Sequence, residues 1–173
     1  KHSAIYEPHI HRELEFNLVL SGQAEYIVKG VKFNLSPNTL IWLFPNQKHV
    51  LINASENFQM YIAVFKPNFL KQLVGKGADK TLISLDYLEN VPKIIKEDEA
   101  KSFILNLEEI IKIKNDVAYY NSYLATICLK IWSIFKKTEI NSIPNKFPEM
   151  IEKCLHLLQN PQSNFTLEGF SEE

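Results

Sequence analysis

The residues best able to do chemistry fall early in the chain, in the run His9-x-His11-x3-Glu15. All three positions share one parity, so an extended strand puts their side chains on a single face. Ile10, Leu14, Phe16 and Leu18 take the other face. His49, which follows Pro45 after three intervening residues and lies on a later strand, is the natural fourth member. Three imidazoles and a carboxylate make an N/O donor set suited to Zn, Fe, Mn or Ni, with coordination positions left open. Such a metal polarises a substrate or simply holds one. The plainer alternative is a polar strand face satisfied by solvent and hydrogen bonds.

Two textures surround these residues. From residue 9 to 65 the chain reads as short strands separated by turns. Glu13 to Leu20 alternates, and Ser21-Gly22 ends it. Ala24 to Lys29 is a second strand, and Gly30 permits a tight hairpin into Val31, Phe33 and Leu35. After the Ser36-Pro37-Asn38 turn, Leu40 to Phe44 is apolar on both faces and should be covered on both. His49 to Ile52 and Phe58 to Phe65 complete a series typical of a sandwich or barrel. A short helix after Pro67, through Leu70 and Leu73, should stop at Gly75 or Gly77.

From residue 98 to 160 the pattern is helical. Ala100, Ile104, Leu107 and Ile111 form one apolar seam behind an Asp98 cap. Val117, Tyr120, Leu124, Ile127, Ile131 and Ile134 form a second, capped by Asn115 or Asp116. A connection this short implies an antiparallel hairpin. Asn141 to Lys146 reads as a linker, Ile151, Leu155 and Leu158 as the stripe of a further helix, and Thr166 as the cap of one more.

Totals narrow the function classes. The 173 residues carry 19 Lys+Arg against 20 Asp+Glu, so this stretch does not grip a polyanion by bulk charge. Cys128 and Cys154 both sit in helical patterns rather than in a C-x-x-C, which fits a reducing cytoplasm better than a disulfide framework. The longest apolar run, Leu40 to Phe44, is far short of a membrane span.

His9-x-His11-x3-Glu15-x6-Gly22, followed by Pro45-x3-His49-x3-Asn53, resembles the two cupin motifs. The second motif departs from the family: Gln47 replaces its glycine, and the spacing to the histidine is one residue short. Within cupins the order of features resembles the sensor domain of AraC/XylS-type transcriptional regulators. Leu35-Ser36-Pro37-Asn38-Thr39-Leu40 before Pro45 and His49 is typical of them, as is a helical hairpin after the barrel. Met150 to Glu173 resembles the start of their helix-turn-helix domain, with Ser171 where that family usually has alanine.

The resemblance implies an α+β fold: an N-terminal cupin (jelly-roll-like) β-barrel, an antiparallel helical hairpin and a C-terminal linker helix. Residues 1–95 would form the effector-binding barrel with a short connecting helix, 96–140 a dimerising hairpin, and 141–173 a linker and the start of a truncated helix-turn-helix domain. The chain would be a non-enzymatic, cytoplasmic sensor. A small-molecule effector in the barrel would control DNA binding by a missing C-terminal domain, and no cofactor is required. His9, His11, Glu15, Tyr26, Trp42, Phe44, His49 and Tyr61 are the pocket candidates. Tyr120, Leu124, Ile127 and Ile131 are the homodimer candidates. The alternative is a metal-dependent cupin enzyme of dioxygenase or isomerase type, with His9, His11, Glu15 and His49 as ligands.

Overall fold

The computed structural model describes residues 7–85, 92–113, 115–138 and 145–146. Six strands come first: β1 (Leu14–Ser21), β2 (Ala24–Val28), β3 (Val31–Leu35), β4 (Thr39–Leu43), β5 (His49–Ala54) and β6 (Gln59–Phe65). Helix α1 (Pro67–Gly75), a 3-10 turn (Lys80–Ile83) and strand β7 (Lys93–Ile94) lead to α2 (Glu97–Lys112) and α3 (Val117–Lys137). Strand β8 (Asn145–Lys146) closes the series. The fold class is α+β, as expected. No helix among the described residues is long and apolar enough to cross a membrane.

The strands make two antiparallel four-stranded sheets, ordered β6-β1-β4-β7 and β5-β2-β3-β8. β2 and β3 form a hairpin within one sheet, and the turns after β1, β3, β4 and β5 carry the chain across to the other sheet. The β2–β3 loop is Lys29-Gly30, with positive φ at both residues (49° and 74°), the signature of a type I′ hairpin whose twist matches that of the strands. Asn38 and Asn46 take the other left-handed turn positions, which asparagine tolerates well. Gly22 turns β1 into β2 at φ 73°, where the loop after β5 crosses so closely that a Cβ would lie 2.6 Å from Phe58 Cα.

Each sheet has one face toward the other. Val19, Ile41 and Leu43 of the first pack with Ala24, Tyr26, Val28, Phe33, Leu35 and Leu51 of the second. The first sheet's opposite face carries Leu14, Phe16, Leu18, Leu40, Trp42 and Phe65. It packs on α1, α2 and α3 through Leu70, Phe103, Leu107, Ile127, Ile131, Trp132 and Phe135. Strand β4 is therefore buried along its whole length, as its two-sided apolar pattern requires.

Three local expectations need correction. β1 begins at Leu14, because the chain bends at Arg12-Glu13, so His9 and His11 precede the strand rather than lie on it. In α2 the buried residues are Ala100, Phe103, Leu107 and Ile110, whereas Ile111 is exposed. The sequence offers apolar residues at both 110 and 111, and only packing decides between them. Asn145 and Lys146, read as linker, pair with Lys32 and Val31 and so add an edge strand. α3 begins as expected, with Asp116 Oδ1 accepting the Tyr119 backbone N–H at 3.0 Å. The C-terminal linker helix, the start of the helix-turn-helix domain and Cys154 lie outside the described residues.

Candidate functional site

The polar residues singled out above meet between the sheets. His49 starts β5 and pairs with Val28, so its ring shares the inner face with Val28 and Tyr26. His9 pairs with His49 through two backbone hydrogen bonds of 3.1 Å, each N–H donating to the other residue's carbonyl. The Asn46 backbone N–H donates to the His11 carbonyl at 2.8 Å and holds the next turn of chain in place. The three rings consequently cluster, with centroids 4.1 Å (His9–His49), 5.1 Å (His11–His49) and 6.0 Å (His9–His11) apart.

Glu15 and Asn17 enter from β1 on the same inner face, in register with Leu43 and Ile41 of β4. Asn17 Nδ2 donates to Glu15 Oε1 at 2.9 Å and more weakly to the Tyr26 hydroxyl at 3.4 Å. His11 Nε2 stands 3.1 Å from Glu15 Oε2, and its Nδ1 stands 3.1 Å from the Glu13 carbonyl oxygen. Burial, then the Glu15 charge, pushes the Tyr26 phenol well above its ordinary range, so it stays O–H.

His49 is the most informative member. Its Nδ1–H donates to the Gln47 carbonyl at 2.8 Å, which leaves Nε2 as a bare acceptor. That nitrogen is buried and has no partner among the described residues; the residue is 1% exposed. Asn17 Oδ1 is in the same condition, on a residue 0% exposed. Desolvation holds the His49 imidazole below its usual pKa, with the neighbouring His9 and His11 acting in the same direction.

Metal fit can be judged from the same geometry. His9, His11 and His49 each offer one nitrogen, all within 4.8 Å of one another. Two nitrogens on one ion at ~2.1 Å stand no more than about 4.2 Å apart, so a metal would have to draw the rings together. His49 fits a ligand's role, with its far nitrogen anchored on a carbonyl. His11 fits less well, since both of its nitrogens already face acceptors and a metal must displace one. Glu15 stands behind His11, with its two oxygens engaged by His11 and Asn17.

The eight pocket candidates divide by face. His9, His11, Glu15, Tyr26 and His49 belong to the cluster between the sheets. Trp42, Phe44 and Tyr61 lie on the other face, against the helices: Trp42 and Phe44 meet Trp132 at 5.4 and 6.1 Å. Period-two alternation separates two faces but does not say which is inward when both are apolar. Asn17 was missed; its signal was a polar residue at Glu15 parity inside an otherwise apolar strand. Of the four homodimer candidates, Ile127 and Ile131 are buried in the chain's own core, and Tyr120 and Leu124 pack beside it, half-buried.

No curated protein matches the chain in sequence. Among solved structures, apo ToxT K231A from Vibrio cholerae strain SCE256 is similar at 13% identity and a TM-score of 0.56, over 95% of this chain and 62% of that one. ToxT from Vibrio cholerae O395 bound to (E)-4-(8-methylnaphthalen-1-yl)but-3-enoic acid gives 16% and 0.51, over 95% and 66%. Wild-type ToxT from strain SCE256 bound to an unsaturated fatty acid gives 16% and 0.51, over 93% and 60%. This chain thus spans less than two thirds of ToxT's length, and the likeness is one of fold. Residues 2–86 match the family model described as AraC-like ligand binding domain, which covers just under half of the chain.

Proposed function

We propose that the chain is the effector-sensing part of a cytoplasmic AraC-type transcription regulator. A small molecule enters between the two sheets and changes how a helix-turn-helix domain outside this chain reads DNA. The observation that carries this reading is the pair of buried, partnerless acceptors on facing sheets, Asn17 Oδ1 and His49 Nε2. Leaving such groups unsatisfied costs about 1–3 kcal/mol each, a cost that an occupant of the gap can remove. The acids bound by ToxT in its solved structures support a small-molecule occupant in this fold. A homodimer through the helical hairpin is part of the proposal, with Tyr120 and Leu124 at its margin. A broad thermal-shift screen of sugars, aromatic acids, amines and amphiphiles tests it, because a ligand of the native state raises the midpoint. A screen in which no compound raises it counts against the sensing role.

The histidine cluster supports a second occupant of the same gap, a divalent transition metal held by His9, His11 and His49. Titration with Co2+, read by its visible absorption, tests this; no bands, and no zinc by elemental analysis, remove it. The enzyme alternative is not favoured, since the matching family model describes a ligand-binding domain.

A further inference from the structure

The chemistry of the gap selects among effectors. Asn17 Oδ1 is identified as the acceptor end of its amide, because Nδ2 must face the Glu15 carboxylate, which can only accept while ionised. His49 Nε2 is likewise an acceptor, since Nδ1 carries the proton given to Gln47. Glu15 adds a buried carboxylate, held by Asn17 and His11. Among the described residues the Tyr26 hydroxyl accepts from Asn17 and gives its own proton to no acceptor, so acceptors outnumber donors in this cluster.

An exposed apolar pair borders this polar cluster. Val64 and Ile62 of β6 pair in register with Glu15 and Asn17 and share their inner face. Yet they are 52% and 54% exposed, while Glu15 and Asn17 are buried. The exposed pair therefore sits one strand away from the starved acceptors, at an edge strand that no further strand covers among the described residues.

Resting on the effector reading above, we infer that the gap between the sheets recognises a compact apolar molecule bearing hydrogen-bond donors, an amine or an alcohol. It rejects a carboxylate of the same shape. A carboxylate would bring two further acceptors and a second negative charge beside Glu15, with a single phenol to answer them. An amine or alcohol donates to Asn17 or His49 and rests its body on Ile62 and Val64.

The test uses three probes that share one ring: cyclohexylmethylamine, cyclohexylmethanol and cyclohexanecarboxylate. Each is titrated into the full chain by calorimetry, with chelator present so that no metal meets the His49 lone pair. The expected result is saturable binding of the amine or the alcohol, at least about tenfold tighter than the carboxylate, as one unsatisfied donor–acceptor mismatch requires. Asn17→Leu and, independently, His49→Phe should each weaken that binding about tenfold; the second variant covers the case in which the first fails to fold. Carboxylate binding as tight as the others overturns the donor inference and leaves the sensing role standing. Failure of all three probes also overturns it; the sensing role falls with it only if the broad screen finds no ligand of any class.

Discussion

Gly22→Ala separates backbone necessity from mere sequence pattern. Gly22 holds φ 73°, and an added Cβ would lie 2.5 Å from Ser55 Oγ, 2.6 Å from Phe58 Cα and 2.7 Å from Phe58 N. The Ser55 hydroxyl could rotate away, but the Phe58 backbone cannot. It is fixed by its own N–H to the Ser55 carbonyl at 3.0 Å, and the adjoining Asn57 carbonyl accepts from Ser21 Oγ at 2.7 Å. A left-handed alanine costs about 1–2 kcal/mol, and forcing the backbone aside about 1–3 kcal/mol more. The sum, about 2–5 kcal/mol, lowers the thermal midpoint by roughly 4–20 °C for a chain of this size. Gly75→Ala is the matched control: a Cβ there meets nothing within 4 Å, and its φ lies outside the left-handed region. Alanine at the end of α1 should be neutral or stabilising by up to about 1 kcal/mol. Far-UV circular dichroism during heating and in urea reads both. A Gly22→Ala midpoint indistinguishable from that of Gly75→Ala would refute the close approach of the two loops.

Three further outcomes follow from individual groups. Because His49 has a lowered pKa in the fold, its contribution is full above the unfolded value of ~6.5 and is lost as pH falls through the folded value. Urea midpoints should therefore drop on acidification below about pH 6.5 and drop less in His49→Gln; equal pH slopes would contradict this. Asp116→Ala removes the cap of α3 and should cost about 1 kcal/mol in urea unfolding, while Asp116→Ser should recover most of it. Burial pushes the Cys128 thiol up to about 12, so in a Cys154→Ser background Ellman's reagent should label it only at the rate of unfolding. Rapid labelling of the native protein would show that α3 does not bury it.

The succession of strands along the chain was largely legible in the sequence, because turns carry their own chemistry; which strands pair was not, beyond the β2–β3 hairpin. Lys29-Gly30, Ser36-Pro37-Asn38 and Pro45-Asn46 each end a strand for a stated backbone reason, and β2 to β5 follow. The site was legible as residue types but less so as geometry. His9, His11 and His49 do converge, yet a single strand face is not what brings them together. A bend at Arg12-Glu13 and a bridge to β5 do that, and neither leaves a periodic trace. The aromatics misled for a different reason. The central strands β1 and β4 are buried on both faces, so hydrophobicity gives Trp42 and Ile41 the same status although they point oppositely. The helical seams failed similarly: Val117 and Ile111 complete attractive 3–4 patterns but are 68% and 60% exposed.

That double burial places the polar cluster and the helical hairpin on either side of one strand layer. Asn17 faces the second sheet, while its neighbour Phe16 faces the helices and pairs in register with Trp42, the two rings 5.4 Å apart. Trp42 meets Trp132 of α3 edge-on at 5.4 Å, and Trp132 Nε1 donates to Asp79 at 3.1 Å. A shift of β1 that improves a contact at Asn17 therefore moves a ring already in contact with the hairpin's own support. Aromatic pairs of this kind are worth about 0.5–1.5 kcal/mol each, and coupling between sites typically about 1–3 kcal/mol. Repacking two or three such rings is enough, and no long relay is needed. Under the proposed function, an effector would exert that coupling only by preferring one arrangement of the layer. A ligand that sits between the sheets without engaging β1 would bind and signal nothing.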